Sequence, residues 1–141
     1  MVTAQVSAWT TQLLQRVAKH DPVRGTWRIP KTACGEVWAD AGGLAYGACV
    51  KINNEIVEDA SWLRPAEDAM HINVAELDAA IKGINMALRW GLTEIRLHTD
   101  SRTCAGWLQA TITNQGKIHT RGMAEMIVRR RLFVLRELID Q

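Results

Sequence analysis

Apolar residues at Val6, Trp9, Leu13, Leu14 and Val17 recur three to four positions apart, a spacing that predicts a helix over residues 4–20. Asp21-Pro22 breaks the pattern, and the stretch DPVRGTWRIPKTACG, with its prolines and glycines, reads as an extended connector. From Gly35 the texture changes. EVWAD, LAYGACVKI and EIVEDASWL are short runs rich in β-branched and aromatic residues. Gly42-Gly43 parts the first two, and Asn53-Asn54 falls where a tight hairpin turn belongs, so the runs predict an antiparallel meander of three strands.

RPAEDAM is a polar, proline-containing connection into HINVAELDAAIKGINMALRWG, whose apolar spacing predicts a long helix with Gly91 as the residue just past its C-cap. EIRLHT reads as a fourth strand, SRTCAGWLQA as a short helix and TITNQGKIH as a loop. A final helix, MAEMIVRRRLFVLRELID, begins at Thr120 or nearby. A three-strand meander followed by a helical crossover to a fourth strand is an α/β fold with a mixed sheet. The right-handed crossover rule makes the first and fourth strands parallel neighbours. Residues 1–34 read as a lead-in, residues 35–141 as the domain proper.

With 141 residues, 48% of them hydrophobic, the chain has the size of one domain that can bury a core without disulfide or metal support. A formal charge of +2 and a pI near 8.6 permit a phosphate-rich partner without arguing for one. Cys34, Cys49 and Cys104 form no CxxC or Cys/His cluster, so neither a zinc site nor a disulfide framework is indicated; they read as small buried residues in a reducing compartment. No basic leader precedes an apolar run, and no segment approaches the length of a membrane span. The expectation is a soluble intracellular protein with no membrane partner.

Three acids stand in suggestive places. Asp40 in EVWAD and Asp100 in IRLHTDS fall at the C-terminal ends of predicted strands, the edge where open α/β sheets place their sites. Glu76 lies three residues after Asn73, an N-x-x-E spacing that reads as a variant capping box, with Asn73 as N-cap. Asp100 reads equally well as the cap of the helix that follows it. Capping explains each acid singly. A crossover helix packed over the first and fourth strands would instead bring all three together, and three carboxylates without an assigned Lys or Arg need a cation or a proton. Hard oxygen donors favour Mg²⁺ or Mn²⁺ over zinc and suit two-metal phosphodiester chemistry.

The blocks VWADAGGLAYGA, HINVAELDA and LHTDSRTCAGWL resemble the ribonuclease H domain of reverse transcriptases from gypsy-like long-terminal-repeat retrotransposons, over a span from about Glu36 onward. The resemblance implies a ribonuclease H-like fold and hydrolysis of the RNA strand of RNA/DNA hybrids. It implies Asp40, Glu76 and Asp100 as catalytic residues holding two Mg²⁺ ions, for which Mn²⁺ can substitute. It further implies nucleic-acid contacts at Ala41, Gly42, Gly43, Asn73 and Ser101, and a polymerase domain of the same polyprotein as partner. The family's fifth strand and last helix, with a fourth acidic ligand, find no counterpart before ELIDQ, and Gly42 stands where relatives more often have Ser. A catalytically impaired fragment or relic that only binds hybrid, or braces a polymerase, is the alternative. An integrase-type site using Glu137, 37 residues after Asp100, is a weaker one.

Other features read plainly. Arg129, Arg130 and Arg131 suggest a solvated face of the last helix. Trp38, Trp62, Trp90 and Trp107 suggest core packing, and His98 a buried, hydrogen-bonded residue.

Overall fold

The computed structural model describes residues 4–19, 34–65, 71–115, 118, 120 and 123–140. The elements are α1 (Ala4–Lys19), β1 (Cys34–Ala41), β2 (Ala45–Ile52), β3 (Glu55–Leu63), α2 (Ile72–Arg89), β4 (Glu94–His98), α3 (Arg102–Thr113) and α4 (Met123–Ile139). The predicted connector over residues 20–33, most of RPAEDAM and His119 lie outside the described residues.

The strands form one sheet in the order β3-β2-β1-β4. β1 pairs antiparallel with β2 and parallel with β4, as the meander and crossover predict. Asn53 and Asn54 take φ of 53° and 69°, the two positive values that a tight primed turn needs and that Asn tolerates better than most residues. Along β1, Gly35, Val37 and Ala39 are buried while Glu36, Trp38 and Asp40 face outward. This period of two fixes which side chains meet the helices.

α2 lies across β1 and β2, with α3 and α4 packed on its other flank. It is therefore apolar nearly all round, burying Val74, Leu77, Ala80, Ile84 and Ala87 among others. Gly83 makes the close approach possible: a Cβ there would stand 2.5 Å from Val37 Cγ1 and 3.0 Å from the Ala48 methyl. The end of the helix follows expectation. Gly91, at φ +76°, donates to Leu88 O at 2.8 Å and Leu92 N to Ala87 O at 3.3 Å, the paired bonds of a Schellman motif.

The start of α2 differs. Its N-cap is His71, which makes no side-chain cap bond, so Asn73 sits inside the first turn and the predicted Asn73–Glu76 capping box does not form. Regular helix begins at Ile72, one residue before Asn73, which places Glu76 two positions further in than the predicted box would, on the buried side. Asp100 is not a cap either. Ser101 takes that role for α3, its hydroxyl accepting from Cys104 N at 3.2 Å. α3 also runs a turn beyond the predicted SRTCAGWLQA, ending at Asn114 in the left-handed region at φ 54°.

Four further expectations need correction. Arg131 is not a solvated charge: its Nε donates to Asp78 Oδ1 of α2 at 2.7 Å and helps fasten α4. Of the cysteines, Cys104 is buried but Cys34 is exposed and Cys49 half-buried, because they sit at different depths of the sheet and helix layers. Trp38, on the outward register of β1, is 46% exposed, whereas Trp107 is core. His98 is half-buried, and its Nε2 stands 3.7 Å from Glu36 Oε2, beyond hydrogen-bond range. The predicted apolar stripe of α1 forms on a helix, yet Val6, Trp9, Leu13, Leu14 and Val17 are each at least half exposed.

Candidate metal centre

Strand register brings two of the acids together. β1 and β4 pair Glu36 with Arg96 and Trp38 with His98, and the same offset carries Asp40 to Asp100 just past the end of β4. Both occupy the outward parity of their strands. Glu76 arrives from the opposite side, on the second turn of α2. One ligand oxygen from each of Asp40, Glu76 and Asp100 can be chosen so that all lie within 4.8 Å of one another. Among the described residues no other cluster of three such groups forms. Glu137 is exposed on α4 and takes no part, which removes the geometric basis of an integrase-type site.

The electrostatics of this cluster are unfavourable by themselves. Asp40 and Asp100 are exposed but Glu76 is only 5% accessible. Glu76 Oε1 accepts from Ala41 N at 3.3 Å, an amide that also donates to Asp40 Oδ1 at 2.7 Å. Glu76 Oε2 is buried with no hydrogen-bond donor among the described residues, and no Lys or Arg among them is ion-paired to any of the three acids. Burial raises the Glu76 pKa above its ordinary 4.5, and the charges of Asp100 and then Asp40 raise it further, against the lowering effect of the Ala41 amide. Neighbouring Cys104 is pushed up to about 12 by burial and by Glu76. Like charges at these separations repel by about 1 to 3 kcal/mol per pair between water-like and surface dielectrics.

A divalent cation fits this donor set. It would meet the partnerless Glu76 oxygen and the two exposed carboxylates, and an all-oxygen site matches Mg²⁺ or Mn²⁺. Without a cation, the folded chain holds the Glu76 proton more tightly than the unfolded chain does. Stability from this group is therefore full below about pH 4.5 and falls as pH rises through the higher folded-state value. In EDTA, the wild-type stability minus that of Glu76→Gln is expected to decline with pH across that window in urea unfolding. A constant difference would contradict the assignment.

The predicted nucleic-acid contacts fall around this cluster in different states. Gly42 and Gly43 lie in an exposed turn, Asn73 is half-buried in the first turn of α2, and Ser101 caps α3. The Ala41 amide points inward to Asp40 and Glu76. A residue that periodicity does not flag, Arg64, closes the turn: its Nη1 donates to Gly42 O at 2.9 Å and its backbone N to Leu44 O at 2.8 Å, while Gly42 N donates to Ala45 O. Arg64→Ala removes a bond worth roughly 1 kcal/mol. Amide exchange at Gly42 is expected to speed up about fivefold, with melting nearly unchanged; unchanged exchange would mean Arg64 does not hold the turn.

No family model matches the chain, and no curated protein matches it. Among solved structures it is similar to RNase H1 from the halophilic archaeon Halobacterium salinarum NRC-1, with a TM-score of 0.54 and 19% identity over 77% of each chain. It is also similar to the foamy viral protease-reverse transcriptase dRH in complex with double-stranded DNA. There the TM-score is 0.52 and the identity 12%, over 99% of this chain and 25% of that one. The chain thus spans a quarter of that neighbour's length. These likenesses define the fold: a ribonuclease H-like mixed sheet of three antiparallel strands and one parallel strand, flanked by helices.

Proposed function

We propose that this chain hydrolyses the RNA strand of RNA/DNA hybrids as the ribonuclease H portion of a gypsy-like retroelement polyprotein, with Asp40, Glu76 and Asp100 holding two Mg²⁺ ions. The observation that carries the reading is the convergence of these carboxylates, one of them buried with a partnerless oxygen, at the ends of the parallel strand pair. The fold supports it, since one similar structure is an RNase H1 and another is a reverse transcriptase in complex with DNA. Its place in this reading is the cytoplasm or retroelement particles; no helix among the described residues is long and apolar enough to cross a membrane.

Asp40, Glu76 and Asp100 would hold the divalent ions, which would supply charge stabilisation at the phosphate and a water of lowered pKa. The chain's own part is placement. The Ala41 amide holds Glu76 Oε1 and Asp40 Oδ1 in one arrangement, and the packed start of α2 keeps Glu76 from swinging away. Gly42 and Gly43, exposed and without side chains, let a ribose-phosphate backbone approach, and Asn73 and Ser101 flank the same edge. Residues 1–34 serve as a connection to a polymerase module, and the exposed apolar stripe of α1 supports that role.

The same stripe favours a second reading, a domain that binds hybrid or braces a polymerase without cutting. Labelled RNA/DNA, RNA/RNA and DNA/DNA duplexes incubated with Mg²⁺ or Mn²⁺ separate the two. Cleavage confined to the RNA of the hybrid, and stopped by EDTA, is expected; no cleavage with either ion would leave the second reading standing.

A further inference from the structure

The outward face of the sheet carries an aromatic pair that the metal centre does not use. Trp38 and His98, register partners on β1 and β4, stack with ring centroids 4.0 Å apart and planes 5° from parallel. Glu36 braces the tryptophan: its Oε2 accepts from Trp38 Nε1 at 3.3 Å, while His98 Nε2 lies 3.7 Å from that oxygen and Arg96 Nη1 3.6 Å from Oε1, both beyond hydrogen-bond range. The rings are thus held in one orientation although Trp38 is 46% exposed. Beside Trp38 runs an open trough of about 900 Å³, lined by Gly47, Cys49 and Ser61 and reaching Asp40 and Asp100. These small side chains leave room for a flat ring against tryptophan.

We propose that this trough takes one unpaired nucleotide of the nucleic-acid substrate beside the scissile phosphate, with its base stacked on Trp38. The inference rests on the nucleic-acid reading above. Trp38 stands two residues before Asp40 and His98 two before Asp100, on the same face of the sheet, so the platform lies one pleat repeat, about 7 Å, from the carboxylates. Charged groups border the platform: Glu36 and Arg96 frame one side, and Lys51 Nζ lies over the Trp38 ring, 5.8 Å from its centre, so that an entering base displaces it towards its own phosphate. Inside a duplex the base faces are already stacked, so only an unpaired nucleotide can offer one. The domain should accordingly favour hybrids that end in a single-stranded extension over blunt ones.

The test measures affinity of the whole chain, with Ca²⁺ as the only divalent ion, for a blunt RNA/DNA hybrid and for the same hybrid with a short single-stranded extension. An abasic extension of equal charge serves as control. The natural extension is expected to tighten binding about 5- to 150-fold over the abasic one, the range of one base–aromatic stack. Trp38→Ala should bring that ratio towards one and Trp38→Phe should keep part of it. 2-Aminopurine in the extension should be quenched on binding to wild type and not to Trp38→Ala. A wild-type ratio near one, or a ratio that survives Trp38→Ala, would overturn the subsite alone. Failure of the wild type to bind any hybrid would overturn the proposed function and the subsite with it.

Discussion

Glu76→Gln is expected to abolish metal-dependent cleavage of an RNA/DNA hybrid, lowering kcat/KM by roughly 1,000-fold or more, a loss of about 4 kcal/mol of transition-state stabilisation. The amide keeps the shape of the side chain and an oxygen to accept from Ala41 N, so the loss cannot be blamed on unfolding. It removes the charge that gives a cation reason to sit between helix and strands. In EDTA the same variant should melt no lower than wild type at neutral pH, because a buried carboxylate facing Asp40 and Asp100 is replaced by a neutral group. Cleavage retained within tenfold of wild type would mean Glu76 only supports the fold.

The second large effect concerns Gly83. Gly→Ala in a helix interior ordinarily stabilises by about 1 kcal/mol. At Gly83 the added carbon meets Val37 Cγ1 and the Ala48 methyl, both in the core, and α2 would have to lift from the sheet. Gly83→Ala should cost about 1 to 3 kcal/mol, and Gly83→Leu should leave no folded domain, as an overpacked core does. Gly106 on α3 supplies the comparison, since nothing lies within 4 Å of a Cβ built there. Gly106→Ala should gain about 0.5 to 1 kcal/mol in urea unfolding. Equal effects of Ala at the two positions would contradict the helix–sheet packing described here.

Much of this fold is written in local patterns. The period-two alternation of β1 already decides that Asp40 faces away from Val37 and Ala39, and the Asn53-Asn54 turn already sets the β2–β3 register as far as Lys51, beyond which the pairing shifts by one residue. The crossover rule then forces β1 beside β4, and with it Asp40 beside Asp100. What local pattern misread was the start of α2. The Asn73-x-x-Glu76 spacing suits a cap, but helix packing extends the helix back to Ile72, and tertiary burial of Glu76 outweighs the local preference.

Contacts that depend on cross-strand neighbours were equally hidden. The core role expected of Trp38 ignores its parity on β1, a signal the alternation does contain. The stack on His98 depends on β1–β4 register and could be read only once that pairing was fixed. The Arg131–Asp78 bond joins helices 53 residues apart, and Arg64 reaches back 22 residues to Gly42; neither separation leaves a periodic trace. The acid cluster was legible because three separate elements each delivered one carboxylate to the same sheet edge.

Calorimetric titration of Mn²⁺ into the metal-free chain decides whether the three carboxylates form a cation site. Binding by the wild type, weakened at least tenfold in each of Asp40→Asn, Glu76→Gln and Asp100→Asn, with all four proteins folded, is the predicted result. Binding that survives all three substitutions, or no binding by the wild type, would contradict it.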